Sequence, residues 1–175
     1  MTENELIENL KVKVKANAEK ITNPKTDDDY FRKGYAAKID ENHEKALEYY
    51  QKVIELNPKH TKAYNQMGIS YHHLGKFEKA LISYKKEIET NPDDLETLIS
   101  GCIGLGNIYQ DLGNEAKAKE FQEIFFWLFL GYIDKMRKEN NLKILSELKN
   151  LILNGQKREE FQSNRKQGNN RLSKR

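Results

Sequence analysis

Residues 63–92 read AYNQMGISYHHLGKFEKALISYKKEIETNP, and residues 29–58, which lie 34 positions earlier, read DYFRKGYAAKIDENHEKALEYYQKVIELNP. Both segments end in Asn-Pro, and a further Asn-Pro pair at Asn23-Pro24 places all three prolines at intervals of 34 residues. The identities that recur at the same offset include Tyr30 and Tyr64, Gly34 and Gly68, Ala46 and Ala80, Leu47 and Leu81, Tyr50 and Tyr84, and Ile54 and Ile88. Self-similarity at one fixed period predicts a repeat architecture in which successive units pack on one another.

These residues resemble the tetratricopeptide repeat, whose pattern has a period of 34 residues and ends in a proline. The second unit carries the pattern at Tyr64, Met67, Gly68, Tyr71, Ala80, Tyr84 and Pro92, whereas the first departs from it at Lys33 and Ala37. A third unit matches at an offset of 38, with Cys102, Leu105, Gly106, Tyr109, Leu112, Gly113 and Ala118. The resemblance covers residues 27–129 and implies a right-handed, all-α solenoid of helix-turn-helix hairpins.

The repeated residues themselves are expected to serve packing rather than chemistry. Gly34, Gly68 and Gly106 have no side chain, so one helix of a hairpin can approach the other closely. Gly75 and Gly113 are expected to form the tight turns inside the hairpins.

The chain is predicted to divide into a stack of repeats with a cap at each end. An N-terminal capping helix is expected in residues 1–22, because Thr2 and Glu5 fit a capping box and four apolar residues recur every four positions, Leu6, Leu10, Val14 and Ala18. The repeats are assigned to residues 27–60, 61–94 and 95–129, of which the last is irregular. Residues 130–154 are expected to form C-terminal capping helices, and residues 155–175 a basic, disordered tail.

An aromatic segment, IFFWLFL at residues 124–130, is apolar on every side of its expected helix. We favour a thick C-terminal core as its interpretation. The alternative is an apolar interface for a partner or a homodimer, formed by Phe125, Phe126, Trp127 and Phe129.

Proteins of the resembled family bind extended peptides or helices in a concave groove lined by the first helix of each hairpin. Carried onto this sequence, the groove positions include Tyr35, Lys38, Asn65, Ile69, His72, Asn107 and Gln110, with Asp28, Phe31, Lys62, His73, Ser100 and Ile103 beside them. Simple solvation of these polar residues is the alternative interpretation. The cationic clamp that grips chaperone C-terminal tails is not matched, because Phe31, Tyr35, Gln66, Ser100 and Gly104 stand in its places.

The net charge of +3 is unevenly distributed. From Gly155 onward seven basic residues face two acidic ones, which gives 7 − 2 = +5 and leaves 3 − 5 = −2 for residues 1–154. The single cysteine, Cys102, excludes an intrachain disulfide, and no apolar run approaches the roughly 20 residues of a membrane span. A soluble, cytoplasmic protein is therefore expected.

No catalytic or metal site is predicted. The histidines are His43, His60, His72 and His73. Adjacent residues on a helix point in different directions, so His72 and His73 are not expected to bind one metal ion together. The sequence therefore favours a protein-interaction scaffold or adaptor without cofactor or enzymatic activity, whose protein or peptide partner is unknown. The alternatives are nucleic-acid association through the basic tail and self-assembly through the aromatic segment.

Overall fold

The computed structural model describes residues 2–138, in which every regular element is an α-helix. In chain order the helices are α1 (Glu3–Glu19), α2 (Asp27–Ile39), α3 (His43–Leu56), α4 (Thr61–His73), α5 (Phe77–Thr90), α6 (Leu95–Asp111) and α7 (Glu115–Lys138). The chain falls into two units, residues 1–126 and 127–175. The tail predicted for residues 155–175 and the larger part of the predicted C-terminal capping helices lie outside the described residues.

The helices of the first unit pair into successive hairpins. Helix α2 packs on α3 and α4 packs on α5, while α3 contacts α4 and α5 contacts α6 across the hairpin boundaries. Helices α2, α4 and α6, the first helices of their hairpins, also contact one another in sequence. The expected all-α solenoid is therefore confirmed, and α2, α4 and α6 form one continuous row.

The hairpin turns require a left-handed backbone residue. Gly75 has φ +67° and Gly113 has φ +70°, which confirms the prediction for both turns. In the first hairpin the corresponding residue is Glu41, with φ 58°. The same hydrogen bonds close these turns, for example Gly75 N–H to the His72 carbonyl and Glu41 N–H to the Lys38 carbonyl. Glu41 therefore adopts a conformation that favours glycine.

Buried tyrosines fill the spaces that the repeat glycines leave. A Cβ atom on Gly34 would stand 2.6 Å from Tyr50 Cε1, and one on Gly68 would stand 2.7 Å from Tyr84 Cε1. Tyr84 also meets Gly104 of the next hairpin, so that glycines flank its ring on both sides. The predicted close approach at Gly34 and Gly68 is confirmed.

Helix α6 is one turn longer than its counterpart α4, with 17 residues against 13. It begins at Leu95, 34 residues after Thr61, whereas its C-cap, Leu112, comes 38 residues after the C-cap of α4, Leu74. The two offsets found in the sequence thus belong to the two ends of α6. As a result, only its first turns repeat the positions of α4 at the 34-residue spacing.

Helix α1 begins with the predicted capping box, in which Thr2 Oγ1 accepts from Glu5 N–H and Glu5 Oε2 accepts from Thr2 N–H. Its apolar stripe is covered only toward the C-terminal end, where Ala18 is buried and Val14 is half-buried. Leu6 and Leu10 remain exposed.

Candidate functional site

A cavity of about 400 Å³ lies along the row of first helices, and we call it the central cavity. Helices α2 and α4 line it together with the start of α6, and α5 adds one side chain. The lining residues are Phe31, Tyr35, Thr61, Lys62, Asn65, Gln66, Glu87, Asp94, Glu96, Thr97 and Ser100. The volume is within the range of about 300–1,000 Å³ that is typical of ligand pockets.

A continuous hydrogen-bonded network connects the helices around the central cavity. Lys38 Nζ donates to Gln66 Oε1 over 2.6 Å, and Gln66 Nε2 donates to Asn65 Oδ1 over 3.2 Å. Asn65 Nδ2 in turn donates to Glu87 Oε2 over 3.0 Å, and Ser100 Oγ donates to Glu87 Oε1. The network therefore has a cation on α2 at one end and a carboxylate at the other.

The carboxylate of Glu87 is the most enclosed charged group of the network. Glu87 lies on α5 and is only 3% exposed, yet its side chain reaches the central cavity between α4 and α6. Burial raises the pKa of the Glu87 carboxyl, and the hydrogen bonds from Ser100 and Asn65 oppose that rise. At the other end of the network, burial lowers the pKa of the Lys38 ammonium group.

Helix α6 begins at the edge of the central cavity, where the side chain of its N-cap residue, Asp94, accepts hydrogen bonds from the first turn. Asp94 Oδ2 accepts from Thr97 N–H over 2.9 Å and from Thr97 Oγ1 over 2.7 Å. This cap holds Asp94 and the adjacent Glu96 where α6 enters the cavity wall. The acidic side chains of the cavity, Glu87, Asp94 and Glu96, outnumber its single basic side chain, Lys62.

Two aromatic side chains of α2 form the opposite wall. Phe31 packs against Tyr50 and His60, with ring centroids 5.7 and 4.9 Å apart, while Lys38 Nζ lies 4.4 Å from the centre of the Tyr35 ring. Phe31 and Tyr35 also line a second cavity of about 270 Å³ between α1 and α2. The two cavities therefore share one aromatic wall.

The groove residues predicted from the sequence occupy different environments. Tyr35 and Asn65 line the central cavity, as do Phe31, Lys62 and Ser100, and Lys38 adjoins it through Gln66. Ile69 is half-buried against the core cluster around Tyr84, and His72 Nε2 lies 2.5 Å from Asp111 Oδ2. Asn107 and Gln110 are exposed and do not line this cavity. They lie in the C-terminal half of α6, whereas the cavity is lined by the start of that helix.

Six lining residues of the cavity were not among the predicted groove positions, namely Thr61, Gln66, Glu87, Asp94, Glu96 and Thr97. Glu87 lies on the second helix of its hairpin, outside the row from which groove positions were taken. A signal was present, because the residue 34 positions earlier is Val53, an apolar residue.

The aromatic segment has mixed exposure within the described part of α7. Phe125, Phe126 and Phe129 are half-buried, whereas Trp127 is 70% exposed. Its interpretation as core or interface stays a prediction.

Within residues 2–138 the structure has neither a candidate metal cluster nor a candidate membrane span. No group of three or more His, Cys, Asp or Glu side chains in that range is arranged to hold a metal ion. None of the helices described there combines the length and the apolar character needed to cross a bilayer.

Three segments of the chain match sequence models of the tetratricopeptide repeat, at residues 28–60, 49–82 and 99–123. No curated protein matches the chain significantly. The segment 28–60 covers the hairpin α2–α3, the segment 49–82 runs from within α3 through α4 into α5, and the segment 99–123 covers most of α6 and the start of α7.

Solved structures of similar fold include MamA, at a TM-score of 0.53 and 21% identity over 68% of this chain and 60% of MamA. The CopN-Scc3 complex matches at 0.53 and 19% identity, over 73% of this chain and 67% of that one. YrrB, described as a TPR protein with an unusual peptide-binding site, matches at 0.53 and 21% identity, over 83% and 68%. The chain thus spans less than two thirds of MamA, and similarity at this level shows the fold. The three repeat matches assign residues 28–82 and 99–123 of this chain to the tetratricopeptide-repeat family.

Proposed function

We propose that this protein is a protein-interaction module that binds an extended segment of a partner in the central cavity. Repeat solenoids commonly use the surface along their row of helices for binding. One similar structure, YrrB, is described as having a peptide-binding site, and another, CopN-Scc3, is a complex. The protein would accordingly act as a scaffold or adaptor rather than as a catalyst.

The observation that carries this proposal is the hydrogen-bonded network beside the aromatic wall. Asn65 and Gln66 present amide groups with both donors and acceptors, which can bond a peptide backbone whatever its side chains are. Phe31 and Tyr35 offer apolar area for the side chains of that peptide. The network fixes the amides before binding, so little conformational entropy is lost when a peptide arrives.

The acidic side chains argue against one class of ligand. A peptide that ends in a carboxylate at this position would face Glu87, Asp94 and Glu96. Like charges at short range are repulsive, so the proposal excludes chaperone C-terminal tails as partners.

A displayed library of random short peptides, selected against the full chain, tests this function. We expect enriched peptides to bind the purified protein with micromolar affinity in fluorescence anisotropy. Tyr35→Ala and Asn65→Ala should each weaken binding by about tenfold, the loss expected when a contact residue at the centre of an interface is truncated.

Ile82→Ala is the matched control, since Ile82 lies on α5 but is 62% exposed and does not line the cavity. The Ile82→Ala variant should bind the enriched peptides with the same affinity as the wild type. Binding that survives both cavity substitutions, or that depends on Ile82, would contradict the proposed site.

A further inference from the structure

We propose that the central cavity selects a partner segment with a basic side chain, arginine or lysine, whose charged group binds at Glu87. This inference rests on the proposed function, because it requires a peptide in the central cavity. It adds the chemistry that the partner must present.

Glu87 is built to receive a further hydrogen-bond donor. Its carboxylate accepts one hydrogen bond from Asn65 and one from Ser100, whereas an ionised carboxylate has about four acceptor positions. The side chain is 3% exposed and nevertheless lines the cavity. The remaining acceptor positions are therefore available to a donor that enters the cavity, and a guanidinium group offers two donors in a suitable geometry.

Comparison of the two regular repeats shows that the fold does not need a carboxylate at this position. Glu87 corresponds at the 34-residue offset to Val53, which is completely buried. Its two hydrogen-bond partners, Asn65 and Ser100, correspond to Phe31 and Gln66. An apolar side chain thus packs the same position of the first hairpin without the free-energy cost of burying a charge.

The charge around the cavity favours a cationic side chain over a neutral one. Asp94 and Glu96 line the cavity at the start of α6, and Lys62 is the one basic residue of the lining. With Lys38, which adjoins the cavity through Gln66, three carboxylates stand against two ammonium groups. Residues 1–154, which contain the cavity, carry a net charge of only −2, so three carboxylates in one lining are a local concentration of negative charge.

The aromatic wall suits the aliphatic stem of such a side chain. Long basic side chains lay their methylene groups on apolar surface while the charged end reaches a polar partner. The Lys38 ammonium group already lies 4.4 Å from the centre of the Tyr35 ring, so the wall is offered to the methylene groups of the partner side chain and the charged end is assigned to Glu87.

The test uses the full chain, immobilised, and four mixtures of short peptides that are random except for one fixed central residue. That residue is arginine, citrulline, norleucine or glutamate, and citrulline has nearly the shape of arginine without its charge. We expect the arginine mixture to be retained about tenfold better than the citrulline mixture, the advantage expected of a charged over a neutral hydrogen bond. Glu87→Gln and Glu87→Val should each reduce that ratio to about one.

Glu89→Gln is the matched control, because Glu89 lies on the same helix and carries the same charge but forms an exposed ion pair with Lys86. It should retain the preference for arginine. Glu87→Val guards against a folding defect, since valine is the natural residue of the first hairpin, and circular dichroism should verify its helix content.

Each other outcome contradicts the inference in a distinguishable way. Equal retention of the arginine and citrulline mixtures, both lost in Tyr35→Ala, would refute the charge selection and leave the peptide-binding function intact. If Glu89→Gln lowered the retention of the arginine mixture relative to the citrulline mixture as much as Glu87→Gln does, the preference would arise from overall charge and not from Glu87. Preference for the glutamate mixture would refute the assigned chemistry. Retention of no mixture by the wild type would refute the proposed function as well.

Discussion

Asn65 on α4 and Glu87 on α5 are joined by a hydrogen bond of 3.0 Å from the amide nitrogen to the carboxylate. The bond ties the two helices of the second hairpin together at the cavity. The corresponding residues of the first hairpin, Phe31 and Val53, are both apolar. The two positions are thus apolar in the first repeat and joined by a charged hydrogen bond in the second.

The pair should be energetically coupled. We expect Asn65→Ala to lower the free energy of unfolding by about 1–2 kcal/mol in the wild type, because it removes a donor from a buried carboxylate. In a Glu87→Val background the same substitution should cost much less. Urea denaturation of the wild type, the single variants and the double variant measures the coupling. Additivity of the two single effects would show that the hydrogen bond contributes nothing.

Gly68→Ala should destabilise the protein, although alanine normally favours a helix over glycine. The added Cβ would stand 2.7 Å from Tyr84 Cε1, and the Tyr84 ring is buried between Gly68 and Gly104. A cost of about 1–3 kcal/mol is expected for such overpacking, measured by urea denaturation. Gly131→Ala is the control, because among residues 2–138 a Cβ there meets no atom within 4 Å beyond the neighbouring backbone of its own helix. A neutral Gly68→Ala would contradict the tight packing.

Glu41→Gly should stabilise the protein. Glu41 holds φ 58° at the turn where the other two hairpins have Gly75 and Gly113. A side chain in this left-handed conformation costs about 1 kcal/mol, so the free energy of unfolding should rise by up to that amount. Gly75→Ala, the reciprocal change, should lower it in the same denaturation assay. Destabilisation by Glu41→Gly would mean that the glutamate side chain, and not the backbone, determines this turn.

Acidification should destabilise the contact between α3 and α4. His43 and His73 stack with ring centroids 4.5 Å apart and an interplanar angle of 8°. Burial lowers the pKa of His43, and the neighbouring charges of His73 and Lys38 lower it further, against the opposing effects of Glu44 and Glu41. In the window between this lowered pKa and the unfolded value of about 6.5, the unfolded chain binds more protons than the folded one.

Stability from His43 is therefore present above about pH 6.5 and is lost as the pH falls through that window. The melting temperature of the wild type should decrease across it, and His43→Gln should decrease less steeply. Parallel pH profiles for the two proteins would contradict this role of His43.

Much of the fold was predictable because the repeat residues act locally. In the first hairpin Gly34 packs against Tyr50, and in the second Gly68 packs against Tyr84. The same residues therefore recur at one offset. The offset of 38 exceeds the repeat period by four residues, about one helical turn, and α6 contains these four residues. Glu41 was not foreseen as a turn residue, since its side chain gives no sign of a left-handed backbone.

The site was less predictable, because it depends on which residues of different repeats meet. Tyr35 and Asn65 were placed at the cavity by family resemblance, and the structure brings them together with Glu87. Glu87 itself resembles an ordinary exposed residue in the sequence, since charged residues surround it along α5. The alignment with Val53 at the 34-residue offset signals a buried position, and the pairing with Asn65 and Ser100 adds that this carboxylate reaches the cavity.

A crystal structure of the full chain with an arginine-containing peptide from the selection tests the central claim most directly. We expect the peptide along α2, α4 and α6, with its guanidinium group within hydrogen-bond distance of the Glu87 carboxylate. A peptide bound on the exposed surface of α5, or on the exposed apolar face of α1 around Leu6 and Leu10, would contradict it.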